Sequence, residues 1–166
     1  MPDRSGNRTT SLRADGRPAP APVSAARGRL VDVVLWSLVI FDLLVAVGAF
    51  LLPQLWFRIL HDAEFVDPQG LLRRTGAIWV AFSVVQILAL PRWRSASHWL
   101  LLVTGIRLSE MFADWTYLVF AESITPFGTV ALLVTLPANL LICWFLFATW
   151  RRMAGNARAP APPDAA

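Results

Sequence analysis

The chain has 166 residues, is 56% hydrophobic and has only 16% charged residues, with a formal net charge of +4. This composition is far from that of an average soluble domain and indicates a small multi-pass membrane protein. The fifteen basic residues are all arginines that lie mostly in the termini and beside apolar segments, so we expect no nucleic-acid surface. The single cysteine, Cys143, excludes a disulfide framework and a thiolate metal site.

The N-terminal part of the chain divides into a polar tail and a first apolar segment. Residues 1–29 are rich in Arg, Pro, Ala and Ser without an apolar pattern, and we expect this tail to be disordered. The following run predicts a transmembrane span at about 31–52. Because the run is longer than the core of a signal peptide and contains Asp42, we expect an uncleaved span. The short aromatic segment 53–60 is predicted to lie along the membrane surface.

A second span is predicted at about 71–90, in a helix that we expect to begin a little earlier, with Asp67 as its N-cap. Arg73 and Arg74 stand at its start, where their long side chains can reach the lipid headgroups. The following link, 91–98, is short and basic. A link of this length requires the third span to return antiparallel beside the second.

The third span, at about 99–120, is apolar but contains three ionisable residues, Arg107, Glu110 and Asp114. At 100° per residue, both acids fall within about 60° of the arginine, so the three form one polar stripe along the helix. Charged groups inside a membrane are costly and face the protein interior. We therefore predict that this stripe contacts the other helices.

The fourth span is predicted at about 129–150 and carries Asn139 near its middle. A second disordered tail is expected over residues 153–166. The predicted fold class is thus an all-α membrane protein, an antiparallel four-helix transmembrane bundle over residues 30–152 with disordered N- and C-terminal tails.

The distribution of arginines predicts the orientation of the bundle. With the N-terminus inside, eleven arginines lie on the cytoplasmic side and three on the outer side, which favours cytoplasmic placement of both termini. We expect the protein to be located in a bacterial inner membrane. Its layout of four short-looped spans is similar to that of small bacterial inner-membrane families such as the DoxX-like proteins, but no stretch matches one residue by residue, so no functional residues are inferred from them.

Matching depth along the spans places four polar residues near the midplane, namely Asp42, Arg107, Glu110 and Asn139. The formal charges of this layer sum to minus one, so we hypothesise that the two acids share one proton around the arginine. Three interpretations remain open: a structural clasp between helices, a pocket for a ligand or substrate, and a path for protons or ions.

Two further polar layers are predicted, one on each side of the midplane. Towards the outer side, Asp114 is level with Arg74 and close to Arg73. Asp114 and Arg74 are expected to form a pair. The layer towards the inner side comprises Ser37, Gln86 and Thr104.

The sequence contains no catalytic, nucleotide-binding or haem motif, which favours a protein without chemistry of its own. His61 and His98 are predicted on opposite sides of the membrane, so we expect no metal site and no cofactor. The expected function is the binding of a partner protein or lipid-like ligand by the polar core. The alternatives are a component of a transport or proton-linked complex, and a DoxX-like redox partner or intramembrane enzyme. Membrane lipids are the expected partners, together with a second copy of the chain or another membrane protein.

Overall fold

The computed structural model describes residues 24–67 and 69–157, and the side chains among these as far as residue 155. All regular structure in this part of the chain is helical, without strands, as the sequence predicts. The helices are α1 (Ala25–Leu51), α2 (Pro53–His61), α3 (Leu71–Arg92), α4 (His98–Phe120) and α5 (Pro126–Ala157). Most of each predicted tail, residues 1–23 and 158–166, lies outside the described residues.

The first helix begins six residues before the predicted start of span one. The hydroxyl of Ser24 accepts a hydrogen bond of 3.3 Å from the backbone N–H of Arg27, which satisfies one of the free donors of the first turn. Residues 25–29, expected in the tail, therefore lie in α1. The chain leaves α1 at Leu52, and Pro53 opens α2, where its missing N–H has no cost.

The start of α3 differs from the prediction. The helix begins at Leu71, and Gly70 precedes it at a φ of 68°, a left-handed conformation that favours glycine. Asp67 still satisfies the first turn, because its carboxylate accepts hydrogen bonds from the backbone N–H groups of Leu71 (2.7 Å) and Leu72 (3.1 Å). Asp67 thus caps α3 from four residues upstream, across a turn that the sequence did not indicate.

Three helices, α1, α3 and α5, are long and apolar enough to cross a membrane. The fourth long helix, α4, has 23 residues but contains Arg107, Glu110 and Asp114. Many large apolar side chains point away from the neighbouring helices, including Phe112, which is 71% exposed, and Trp144, which is 68% exposed. Buried polar residues and exposed apolar ones are the reverse of a soluble protein and suit a lipid environment.

Helix packing divides into two closely associated pairs, α1 with α3 and α4 with α5. The contact between the pairs is smaller and runs mainly between α3 and α4. A hydrophobic core joins all four long helices near the α3–α4 link, and its buried residues are Val31, Leu35, Leu38, Ala89, Trp93, Leu100, Val103 and Leu146. Farther along the helices this apolar core gives way to polar side chains.

The short helix α2 lies across the opposite end of the structure. Its Trp56 ring packs on Trp79 of α3, with ring centroids 5.5 Å apart. At its other end, Thr125 ties the helix to the start of α5, because its backbone N–H donates to Leu60 O (2.8 Å) and its hydroxyl donates to Ile59 O (2.6 Å). The segment 53–60, for which the sequence predicts only a position along the membrane surface, is helical, and that position stays a prediction.

Candidate functional site

The centre of the structure holds a buried ion-pair cluster formed by Asp42 of α1 with Arg107 and Glu110 of α4. Asp42 is 0% exposed and Arg107 is 1% exposed. One guanidinium nitrogen, Nη2, donates to Asp42 Oδ2, and the other, Nη1, lies 2.5 Å from Glu110 Oε2. The structure therefore brings together three of the four residues of the predicted midplane layer, and the arginine bridges the two acids.

Two residues of α3 complete the cluster, and the sequence did not place either of them there. Gln86 Nε2 donates to Asp42 Oδ2 at 2.8 Å, and Trp79 Nε1 donates to Glu110 Oε1 at 3.0 Å. Gln86 was expected in an inner layer with Ser37 and Thr104, but its side chain is long enough to reach Asp42 from there. Ser37 is exposed, and the hydroxyl of Thr104 donates to the carbonyl oxygen of its own helix at Leu100.

Several atoms of this cluster have no hydrogen-bond partner among the described residues. They are Asp42 Oδ1, Gln86 Oε1, Arg107 Nε and Glu110 Oε2, each shielded from solvent, although Glu110 Oε2 also lies in the ion pair with Arg107. Buried polar atoms are nearly always paired in native proteins, since an unpaired one costs about 1–3 kcal/mol.

The predicted outer layer does not form. Asp114 shares the hydroxyl of Thr135 on α5, which lies 3.3 Å from its Oδ2 and 2.9 Å from the carbonyl oxygen of Leu132. Arg73 and Arg74 are exposed, and the ion pairs found in the described part of the chain do not join either of them to Asp114. The reason is helix rotation, because the two arginines lie on the outward side of α3 whereas Asp114 faces α5.

A cavity of about 370 Å³ opens beside the ion-pair cluster, and we call it the Asp114 cavity. Its polar lining includes Glu110, Asp114 and Tyr117 of α4 with Thr135 and Asn139 of α5. The remaining walls are mainly apolar and aromatic side chains: Phe41, Val45, Trp56, Ile59, Leu60, Trp79, Ile124, Phe127, Ala131 and Leu132. Glu110 belongs to both the cluster and the cavity, so a molecule in the cavity would meet one carboxyl of the cluster directly.

Asn139, the fourth predicted midplane residue, faces this cavity rather than the ion-pair cluster. It is 8% exposed, and its carboxamide makes no hydrogen bond to the rest of the described chain. A buried amide offers both a donor and an acceptor. Asn139 therefore gives the apolar side of the cavity a polar group that is free to bind.

A second set of contacts, which we call the His61 latch, holds α2 over the cavity. His61 Nδ1 lies 2.7 Å from the carbonyl oxygen of Ser123 and so carries the proton, and Nε2 accepts a hydrogen bond from the hydroxyl of Tyr117. Tyr117 also lines the cavity. His98 lies at the other end of the helices, stacked on Trp99.

Within the described ranges, His, Cys, Asp and Glu side chains form no group of three that could hold a metal ion. The chemical groups that the site offers are thus carboxylates, one guanidinium, an amide, hydroxyls and aromatic rings. No family model matches the chain, and no curated protein or solved structure matches it significantly.

Proposed function

We propose that the chain is a four-span inner-membrane protein with both termini in the cytoplasm, and that it binds a lipid-like ligand in the Asp114 cavity. The proposal needs α4 to cross the membrane as well. At 1.5 Å per residue its 23 residues extend about 34 Å, enough for a hydrocarbon core of about 30 Å. Its charges do not prevent this, because Arg107 is paired with two acids and shielded by the neighbouring helices.

The Asp114 cavity is the observation that carries the ligand proposal. Small-molecule sites are concave, mostly apolar and supplied with a few polar groups, and they measure about 300–1,000 Å³. The cavity has this size and this mixture of walls. Because it lies between helices whose outer surfaces are apolar, an amphiphile dissolved in the membrane is the class of ligand that fits it.

A component of a proton-linked complex is the second candidate. The observation that favours it is the pairing of two buried acids, Asp42 and Glu110, with a single arginine. Two carboxyl groups around one cation can hold one proton between them. Infrared spectroscopy of the purified protein at pH 7 tests this directly, since a protonated carboxyl band is expected in the wild type and two fully ionised carboxylates would contradict it.

The four-span topology can be tested through the single cysteine. In a Cys143→Ser background, Ser95→Cys marks the α3–α4 link and Ser123→Cys marks the α4–α5 link, and both positions are exposed. A maleimide that does not cross membranes should label position 123 in intact cells and position 95 only after permeabilisation. Labelling of both positions from the same side would refute a membrane-crossing α4.

Ligand binding can be tested by filling the cavity. Ala131 lines it, so Ala131→Phe should exclude a ligand, whereas Ala138→Phe on the exposed side of the same helix is a matched control. Native mass spectrometry of protein purified in a mild detergent should show bound small molecules in the wild type and the control, and fewer in Ala131→Phe. Equal retention by both variants would contradict binding in this cavity.

A further inference from the structure

We propose that the ligand of the Asp114 cavity is a cationic amphiphile, with an amine or quaternary ammonium head held between Asp114 and Glu110 and an apolar body along the cavity walls. This inference rests on the proposed binding function and goes beyond it by specifying the charge of the ligand. Four observations on the cavity lead to it.

The first observation is the balance of charge. Asp42, Glu110 and Asp114 contribute three acidic groups around one guanidinium, that of Arg107. Arg107 is engaged by Asp42 and Glu110, while the hydrogen-bond partner of Asp114 is a neutral hydroxyl. A buried carboxylate without a cation is unfavourable, and a positively charged ligand supplies the missing partner. An anionic ligand would be repelled by the same groups.

The second observation is the aromatic wall. Trp56 and Trp79 lie at the cavity with ring centroids 5.5 Å apart and planes inclined at 48°, and the ring of Tyr117 lines the same space. The faces of such rings attract cations, and recognition of quaternary ammonium groups commonly uses several of them together. Carboxylates and aromatic faces therefore favour the same charge.

The third observation is that the site contains an uncharged polar side chain, Asn139, in addition to the acidic residues. Its side chain is more than nine-tenths buried, lines the cavity and has no hydrogen-bond partner within the part of the chain that the structure describes. The amide oxygen can accept a hydrogen bond from an ammonium N–H. The polar groups on α4 and α5 thus face one space from two sides.

The fourth observation concerns the rest of the wall, which is apolar. The residues that would contact the body of the ligand are Phe41, Val45, Ile59, Leu60, Phe127 and Leu132. A hydrocarbon chain from the surrounding lipid can pack against them through van der Waals contacts without burying a polar group of its own. A small hydrophilic cation such as a metal ion would leave this wall without contacts, so the cavity favours an amphiphile.

The test compares three ligands with the same hexyl chain and different heads: hexylammonium, hexanol and hexanoate. Isothermal titration of the full-length protein in maltoside micelles, with empty micelles subtracted, gives each affinity. We expect the cation to bind at least about tenfold more tightly than the alcohol, the effect of one favourable charge contact at a partly shielded site, and hexanoate to bind most weakly.

Charge-neutralising variants locate the effect. Asp114→Asn keeps the size of the side chain and an oxygen that can accept from Thr135, and it should remove most of the preference for the cation. Glu110→Gln should reduce the preference as well. Glu122→Gln, in the exposed link after α4, removes the same charge outside the cavity and should leave the preference unchanged.

The outcomes separate this inference from the function on which it rests. Equal affinity for the cation and the alcohol, or tighter binding of hexanoate, would overturn the cationic class and leave a ligand site in place. Absence of binding by all three ligands would overturn both proposals. A preference for the cation that survives in both Asp114→Asn and Glu110→Gln would overturn the assignment of the head to these carboxylates.

Discussion

Replacement of Arg107 by glutamine is the most informative perturbation of the ion-pair cluster. In the wild type, the guanidinium is 1% exposed and bridges Asp42, which is 0% exposed, and Glu110. Arg107→Gln removes the positive charge and leaves both acids in place. Asp42 then keeps only the hydrogen bond from Gln86.

The expected loss of stability follows from these contacts. Removal of one partner of a buried ion pair costs about 3–5 kcal/mol, because the remaining charge is uncompensated. The new glutamine amide can donate one hydrogen bond to Asp42, which returns about 1 kcal/mol. We therefore expect Arg107→Gln to lower the free energy of unfolding by about 2–4 kcal/mol.

Asp42→Asn is the matched change on the other side of the pair. Its amide oxygen still accepts from Arg107 and Gln86, and Arg107 keeps Glu110 as a counter-charge. The expected cost is about 1 kcal/mol, the scale of one weakened hydrogen bond. In the double variant no uncompensated Asp42 remains, so its loss should be smaller than the sum of the single losses by about 1–2 kcal/mol.

Equilibrium unfolding in mixed micelles, followed by tryptophan fluorescence, measures all four proteins. Additive losses in the double variant would show that Asp42 and Arg107 do not depend on each other energetically. An Arg107→Gln protein as stable as the wild type would refute the reasoning more directly. It would mean that the cluster is retained at a cost to stability, as working sites often are.

Three further outcomes are expected from contacts elsewhere in the structure. Gly128→Ala should lower the free energy of unfolding by about 1–2 kcal/mol in the same assay, because its Cβ would lie 2.8 Å from an Ile124 methyl and 3.1 Å from Leu60 O. Gly105→Ala is the control, since its Cβ would meet nothing within 4 Å, and it should leave stability unchanged or raise it. Tyr117→Phe removes the hydroxyl that donates to His61, so amide hydrogen exchange in α2 should become faster, and unchanged exchange would mean that the latch does not hold the helix. Trp79→Phe removes the donor to Glu110 Oε1 and should cost about 1 kcal/mol; a loss below measurement error would show that this hydrogen bond adds nothing to stability.

The shared depth of Asp42, Arg107 and Glu110 was predictable from the sequence, but their contact also depends on helix rotation, because Asn139 has the same predicted depth and faces the cavity instead. A long apolar segment fixes how far each residue lies along its helix, and charged residues at similar depth have strong reasons to pair. The expected pair of Asp114 and Arg74 does not form in the structure, and rotation is again the reason. Depth says nothing about rotation, and α3 turns its arginines outward while α4 turns Asp114 towards α5.

The contributions of Trp79 and Gln86 were missed for a different reason. A tryptophan in an apolar segment looks like packing or an interfacial anchor, and only the structure shows its N–H directed at Glu110. Gln86 was assigned to the inner polar layer from the depth of its backbone, but its side-chain amide reaches Asp42 of α1 in the midplane layer. The cavity could not be predicted from the sequence either, because it depends on how α2 and α5 are placed against α4.

The division of the helices into two pairs has a consequence for how the protein is made. Asp42 and Gln86 belong to the pair α1 and α3, which leaves the ribosome first, and Arg107 belongs to the later pair. If α4 crosses the membrane as we propose, it enters the bilayer after Asp42, one of the two acids that pair with Arg107, is already in place on α1. On α4 itself, Arg107 is paired with Glu110 but lacks Asp42, so under the proposed topology the earlier half of the chain supplies the second counter-charge of the arginine.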